Sequence, residues 1–356
     1  MVSLLEVLKL AVSKNASDIH VTVGSPPVLR IDGQLFKLDT EVLKSEDTKT
    51  MCYSLISDEQ KARFENDKHL DFSFFVKNLT RFRGTLFYQK TAVSGTFRTL
   101  YTDPPQIENL HLPPAVENVV HYPFGLVLVT GPTGSGKSTT LAAIIDAINE
   151  TRRGHILTLE DPIEIVHTHK KCLVNQRELG VDCRSFSDGM KNALRADPDI
   201  CLVGEMRDAE TIELALKLAE TGHLVFSTLH TNSAGKTVDR IVSSFPANER
   251  DVICNQLSTV LQAVISQRLL RTKKGGRRVA SEILFSNPAI RNLVRENKIF
   301  QIYSVIQTSF NEGMCTMNHS LLKLIEEGVI DTKIAFETSS EKEELYQLLK
   351  KKKLAS

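Results

Sequence analysis

The sequence predicts an α/β fold: a parallel sheet with helices on its faces, preceded by a smaller α+β unit. Three observations predict it. From Gly125 onward short apolar runs alternate with helical patterns, the order that a parallel sheet with crossover helices requires. Before residue 100 most runs are short and alternating, and an Asp32-Gly33 step between two of them is a hairpin signal. Between these regions stands "YTDPPQIENLHLPP", whose four prolines remove donors and fix φ, so an ordered but irregular linker is expected there. The expected organisation is therefore residues 1–100, a linker at 101–115, and residues 116–356.

The elements follow in order. "MVSLLEVLKLAVSKNASD" places Leu4, Leu5, Leu8 and Val12 on one helical face, and Ser3 with Glu6 forms a capping box. "SDIHVTV" and "PPVLRIDGQLFKL" read as strands, residues 45–65 as helical, and "DFSFFV", "RFRGTLFYQ" and "SGTFRTL" as three more strands. Further on, strands are expected at 125–130, 155–160, 199–203 and 223–229, with helices near 138–149, 187–196 and 208–221. Beyond about residue 247 the pattern is mostly helical, apart from a strand at "RRVASEILF".

Composition removes several classes. Lys and Arg number 44 and Asp and Glu 43, a net charge of +1, so the chain has no bulk field for nucleic acid. Hydrophobic residues make up 41% and charged residues 24%, as in ordinary globular proteins. Six cysteines with no C-x-x-C pair fit a reduced, cytoplasmic setting and not a structural zinc site. No apolar run reaches the roughly 18 residues of a membrane span. The lysine-rich end "KEELYQLLKKKKLAS" reads as a solvated helix terminus.

Four stretches carry chemistry. "GPTGSGKSTT" matches the phosphate-binding loop, with Gly131, Pro132, Thr133, Gly134, Ser135, Gly136, Lys137, Ser138 and Thr139 at the nucleotide. An apolar strand precedes it and an amphipathic helix follows, so backbone N–H groups can wrap phosphate oxygens at a helix N-terminus. Lys137 is expected to meet the β- and γ-phosphates and Ser138 the Mg²⁺. "HILTLEDPIEIVH" delivers Glu160, Asp161 and Glu164 just past a strand that Pro162 ends. "DPDICLVGEMRD" ends its strand at Glu205, which is open to three readings: a metal carboxylate, a catalytic base, or an unrelated strand end. Its strand is expected beside that of the phosphate loop. "TGHLVFSTLHTNSA" carries His223 and His230, which could sense a γ-phosphate if both reach the same sheet edge. In the N-terminal region, Arg81, Arg83 and Arg98 lie on strands and matter only if they reach a neighbour's phosphates.

Together these residues resemble one family: the PilT-like type IV pilus retraction motors of the type II/IV secretion ATPase superfamily. "ASDIHVTVGSPPVLRIDG" is similar to the start of that family's PAS-like N-terminal domain, "LTLEDPIEIVH" to its Asp box, "ALRADPDICLVGEMRD" to its atypical Walker B, and "TGHLVFSTLHTNSA" to its His box. "AIRNLVRENK", residues 289–298, resembles the C-terminal motif tied to retraction. The resemblance implies a RecA-like P-loop ATPase core, ATP and Mg²⁺, and a homohexamer at the cytoplasmic face of the inner membrane. That ring would associate only peripherally with the membrane, through a pilus platform protein. It also implies Glu164 as the catalytic glutamate, Glu205 as the Walker B carboxylate, His230 in the His box, and Arg83 and Arg98 as phosphate-contacting arginines. The extension and type II secretion ATPases are the alternative; they usually carry a further N-terminal domain and a four-cysteine zinc motif. "RFRGTLFYQ" departs from the family at Gly84-Thr85, where an apolar residue and Asn are usual. A RecA-like nucleic-acid translocase is a weaker alternative, because no aromatic and basic stripe accompanies the near-neutral charge.

Overall fold

The computed structural model describes residues 3–31, 33–77, 79–100 and 104–353. Proximity of Cα atoms divides the chain into two units, Met1–Asp103 with Pro162–Val166, and Pro104–Asp161 with His167–Ser356.

The first unit begins with helix α1 (Leu4–Ser13), capped by Ser3 and Glu6 in a reciprocal box as the sequence indicates. Strands β1 (Asp18–Val21), β2 (Val28–Ile31) and β3 (Gln34–Lys37) follow. The β2–β3 hairpin pairs Ile31 with Gln34 and has Gly33 in its turn; Asp32 of the expected Asp-Gly step lies outside the described residues. The helical stretch divides into α2 (Ser45–Tyr53) and α3 (Asp58–Asp67), because Ser57 starts a new capping box with Gln60. Strands β4 (His69–Val76), β5 (Thr80–Gln89) and β6 (Ala92–Thr99) complete an antiparallel sheet in the order β3-β2-β1-β6-β5-β4.

Alternation along β5 sends Phe82, Gly84 and Leu86 into the core and Arg81 and Arg83 to the other face. The core gathers Val7, Leu8, Ile19, Phe64, Phe72, Phe82 and Phe97, with the rings of Phe74 and Phe82 stacked 5.3 Å apart. Gly84, the departure from the family pattern, has a packing reason: a Cβ there would stand 2.7 Å from the Phe72 ring.

The second unit is built on β7 (Gly125–Thr130), α4 (Lys137–Thr151), β8 (His155–Glu160), β9 (Leu173–Glu178), α5 (Phe186–Ala193), β10 (Ile200–Val203), α6 (Ala209–Glu220), β11 (Leu224–Leu229), α7 (Ala234–Ser243) and α8 (Arg250–Val260). Then come β12 (Leu261–Arg271), β13 (Arg277–Phe285) and five helices: α9 (Pro288–Arg295), α10 (Ile302–Thr308), α11 (Met317–Glu326), α12 (Thr332–Thr338) and α13 (Lys342–Lys351). The sheet order is β13-β12-β7-β11-β10-β8-β9, all parallel except the edge strand β13. Strands β7, β10 and β11 are buried at every residue, which is why they read as largely apolar runs, with Thr130, Ser227 and Thr228 the buried polar exceptions.

Three expectations are corrected. The linker forms two 3-10 helices, Ile107–Leu110 and Pro114–His121, whose Ile107 and Val116 enter the second unit's core; residues 101–103 lie outside the described residues. The C-terminal region is mostly helical from 247 on but holds a second strand besides "RRVASEILF", because β12 runs eleven residues straight out of α8. The strand of Glu205, β10, is not beside the phosphate-loop strand β7, because β11 lies between them.

Candidate functional site

The phosphate loop leaves the carboxyl end of β7 and enters α4. Gly131 continues the ladder, its N–H donating to Leu229 O at 3.3 Å, and Ser135 N–H closes a turn onto Pro132 O at 3.2 Å. Gly131 has φ +146, and a Cβ there would overlap the Gln267 carbonyl oxygen and come within 2.6 Å of Ser135 Oγ, so glycine is required. The Lys137 ammonium donates to the carbonyls of Gly131 (2.9 Å) and Pro132 (3.1 Å), which holds it across the loop. Thr133, Gly134, Ser138 and Thr139 are exposed, whereas Ser135 is buried and its hydroxyl has no hydrogen-bond partner in the structure. A glycine-rich turn at a helix N-terminus, with a lysine across it and a spare buried hydroxyl, fits a nucleotide's phosphates.

Glu205 stands just beyond β10. The Gly204 N–H donates to Leu159 O (2.8 Å), the Thr228 hydroxyl to Gly204 O (2.6 Å), and the Met206 N–H to Thr228 O (3.1 Å). These bonds stitch the Gly-Glu turn to both neighbouring strands. The half-buried Glu205 carboxylate then meets Arg207 Nε at 2.9 Å and His230 Nε2 at 3.3 Å. The structure thus unites Glu205 with His230, but not with His223. That residue sits at the opposite end of β11, its Nδ1 2.9 Å from Leu218 O at the end of α6. Arg207 was not singled out in the sequence, although it stands two residues past Glu205 in "GEMRD".

At the end of β8, Glu160 accepts from the Thr158 hydroxyl (2.6 Å) and the Gln176 amide (3.0 Å), so it is tied to β9. Asp161 is exposed. Glu164 is also exposed, between buried Ile163 and Ile165, in the short segment that groups with the first unit. Further along the chain, Asn149 of α4 pins the stretch that leads into β9: its Nδ2 donates to Thr168 O (2.7 Å), and its Oδ1 accepts from the N–H groups of Lys170 (3.1 Å) and Cys172 (3.2 Å).

In the first unit, Arg83 and Arg98 are direct partners across β5 and β6, and Arg98 faces Asp18, which faces Arg30. Asp18 accepts from Arg98 Nε at 2.9 Å and lies 3.9 Å from Arg30 Nε, so it pairs with two guanidinium groups, while Arg83 lies near a second carboxylate, Asp71, and helps to lower its pKa. Burial raises the Asp18 pKa, but hydrogen bonds from Ser17 and Arg98 outweigh it and leave the group below its ordinary value. Like charges set directly opposite are destabilising unless an anion offsets them. Arg81 instead donates to Ser73 Oγ at 2.6 Å.

The family described as "Type II/IV secretion system protein" matches residues 2–336. The chain belongs to this family. It is 49% identical over 332 residues to the type IV pilus retractation ATPase PilT of Pseudomonas aeruginosa, covering 93% of this chain and 96% of that one. It is also 49% identical over 329 residues to a twitching motility protein of Neisseria gonorrhoeae, covering 92% and 88%. Among solved structures, the pilus retraction motor PilT with bound ADP superposes with a TM-score of 0.93, at 49% identity, covering 98% of this chain and all of that one. This secretion ATPase is thus an ATP-hydrolysing enzyme of the PilT kind. Its mixed α/β fold with a parallel sheet is that of the solved PilT.

Proposed function

We propose that this chain is the ATPase motor that retracts type IV pili and so drives twitching motility. The observation that carries this reading is the 49% identity to PilT across 93% of the chain. The phosphate loop built in the second unit supplies the chemistry. The loop amides, Lys137 and Ser138 hold the phosphates of ATP. Glu164 orients and deprotonates the attacking water, and Arg83 and Arg98 neutralise charge that develops on the phosphates. Phosphoryl transfer needs positioning and electrostatics more than a nucleophilic side chain, which suits a site without one.

No cluster of three or more His, Cys, Asp or Glu among the described residues could hold a metal ion by itself. Mg²⁺ needs only one or two protein oxygens when phosphates and water complete its shell, and Ser138 and Glu205 are the groups assigned to it. When bound, the ion would neutralise phosphate charge. Glu205 takes the Mg²⁺ side of the site and leaves the base to Glu164.

The motor works as a homohexamer with a RecA-like core and a PAS-like N-terminal domain. It docks on an inner-membrane platform protein at the cytoplasmic face. No helix among the described residues is long and apolar enough to cross a membrane. Deletion of the gene tests the direction of action. Excess surface pili without twitching is the expected result; loss of pili would assign extension instead.

A further inference from the structure

We infer that Gln267 is a positioning residue for ATP binding, acting through the peptide between Ser135 and Gly136. Gln267 lies on β12, one residue past the last β7–β12 pair, Ser266 with Thr130, and so stands level with the start of the phosphate loop. It is 2% exposed. Its Nε2 donates to Ser135 O at 2.7 Å, and its Oε1 accepts from the Thr140 hydroxyl in the first turn of α4 at 3.0 Å. Both ends of a buried amide are therefore satisfied, one by the loop and one by the helix that the loop feeds.

The geometry of the peptide bond gives this contact a function. In a trans peptide the carbonyl of one residue and the N–H of the next point in opposite directions. Gln267 holds the Ser135 carbonyl on the buried, sheet side of the loop. The N–H of Gly136 is thereby turned the other way, toward the side where Thr133 and Gly134 are exposed. Gly136 has φ +89, a conformation in which glycine lets the peptide rotate at little steric cost. Without an anchor, this peptide can flip and present a carbonyl oxygen to the phosphates. Gln267 blocks that flip. The backbone carbonyl oxygen of the same residue, together with Ser135 Oγ, leaves Gly131 no room for a side chain, so β12 crowds the start of the loop as well.

The inference rests on nucleotide binding by this loop, which ADP binding to the unaltered protein checks separately. Gln267→Met keeps the volume of the side chain and removes both hydrogen bonds. Gln267→Glu keeps an acceptor for Thr140 but has no donor for Ser135. Both variants are expected to raise the Kd for ADP and the KM for ATP by about tenfold or more, with kcat at saturating ATP reduced less than about threefold. Both are expected to remain folded at the assay temperature without nucleotide. Wild-type ADP affinity in either variant would overturn the assignment. So would unfolding of both variants without nucleotide, which would make Gln267 a scaffold residue only. An unaltered protein that fails to bind ADP would instead refute nucleotide binding by the loop.

Discussion

His230 Nε2 lies 3.3 Å from Glu205 Oε1, although 25 positions of chain separate the two residues. They meet because β10 and β11 are parallel neighbours in matched register, Val203 opposite Ser227, so both strands release their next residues at the same edge. The pair acts as one unit. Glu205→Gln is expected to lower kcat about a hundredfold while leaving ADP binding in place, the scale seen when one electrostatic group is removed from a site. His230→Ala should cost less, and the double variant should be little worse than Glu205→Gln alone, because contacting residues are not additive. Steady-state phosphate release across a Mg²⁺ titration checks this. Fully additive losses, or unchanged metal dependence in Glu205→Gln, would refute the shared role.

Lys137 is held between two loop carbonyls, 2.9 and 3.1 Å away, and is proposed to meet the nucleotide's phosphates. Lys137→Ala is expected to reduce ADP affinity at least about a hundredfold, since a desolvated charge pair is lost. Unfolding without nucleotide should change little. Titration of a fluorescent ADP analogue measures the first and circular dichroism melting the second.

Glu164 is exposed and packs nothing itself, so its replacement should not unfold the protein. Glu164→Gln is expected to lower kcat by about 10²–10⁴, the range for general acid–base catalysis, with little effect on KM. Single-turnover hydrolysis separates this from slow product release. A wild-type rate in that experiment would remove Glu164 from the base role.

Glu282 is a buried carboxylate that accepts from the Ala234 N–H at 2.7 Å, at the start of α7, and from the Met317 N–H. Burial pushes its pKa up; the two backbone N–H groups pull it down without restoring it, and Glu344 and Glu341 nearby push it further up. A raised carboxylate pKa in the folded state favours the protonated form. Its contribution to stability is therefore full below the ordinary value of 4.5 and is lost as pH rises through the folded value. Glu282→Gln should raise the urea midpoint at neutral pH and leave it nearly unchanged at pH 4. A variant less stable than wild type at pH 7.5 would contradict this.

Much of this was legible in the sequence, for reasons particular to each element. Strands β7, β8, β10 and β11 were readable because parallel strands covered on both faces are rich in apolar residues, as "GLVLV", "HILTL", "ICLV" and "LVF" are. The phosphate loop was readable because phosphate wrapping demands glycines, a lysine and a serine at fixed spacing. Strand β12 was not. Leu257, Val260, Leu261, Val264 and Ile265 recur at helical spacing, and α8 passes into β12 with no Gly or Pro between. With β12 misread, Gln267 had no visible role. Strand β9, "LVNQRE", escapes the pattern because it lies at the sheet edge and is half polar. The position of β10 relative to β7 is a matter of strand order, which local patterns do not encode.

Asn149 has one more consequence. The N–H groups of Lys170 and Cys172 donate to its side chain, which α4 carries fully buried, although Thr168, His169, Lys170 and Lys171 face solvent. While those bonds hold, the two amide protons are shielded from exchange with deuterium, and they are released when either the loop or the last turn of α4 moves away. A solvent-facing loop thus carries slow-exchange marks set by one buried helix side chain.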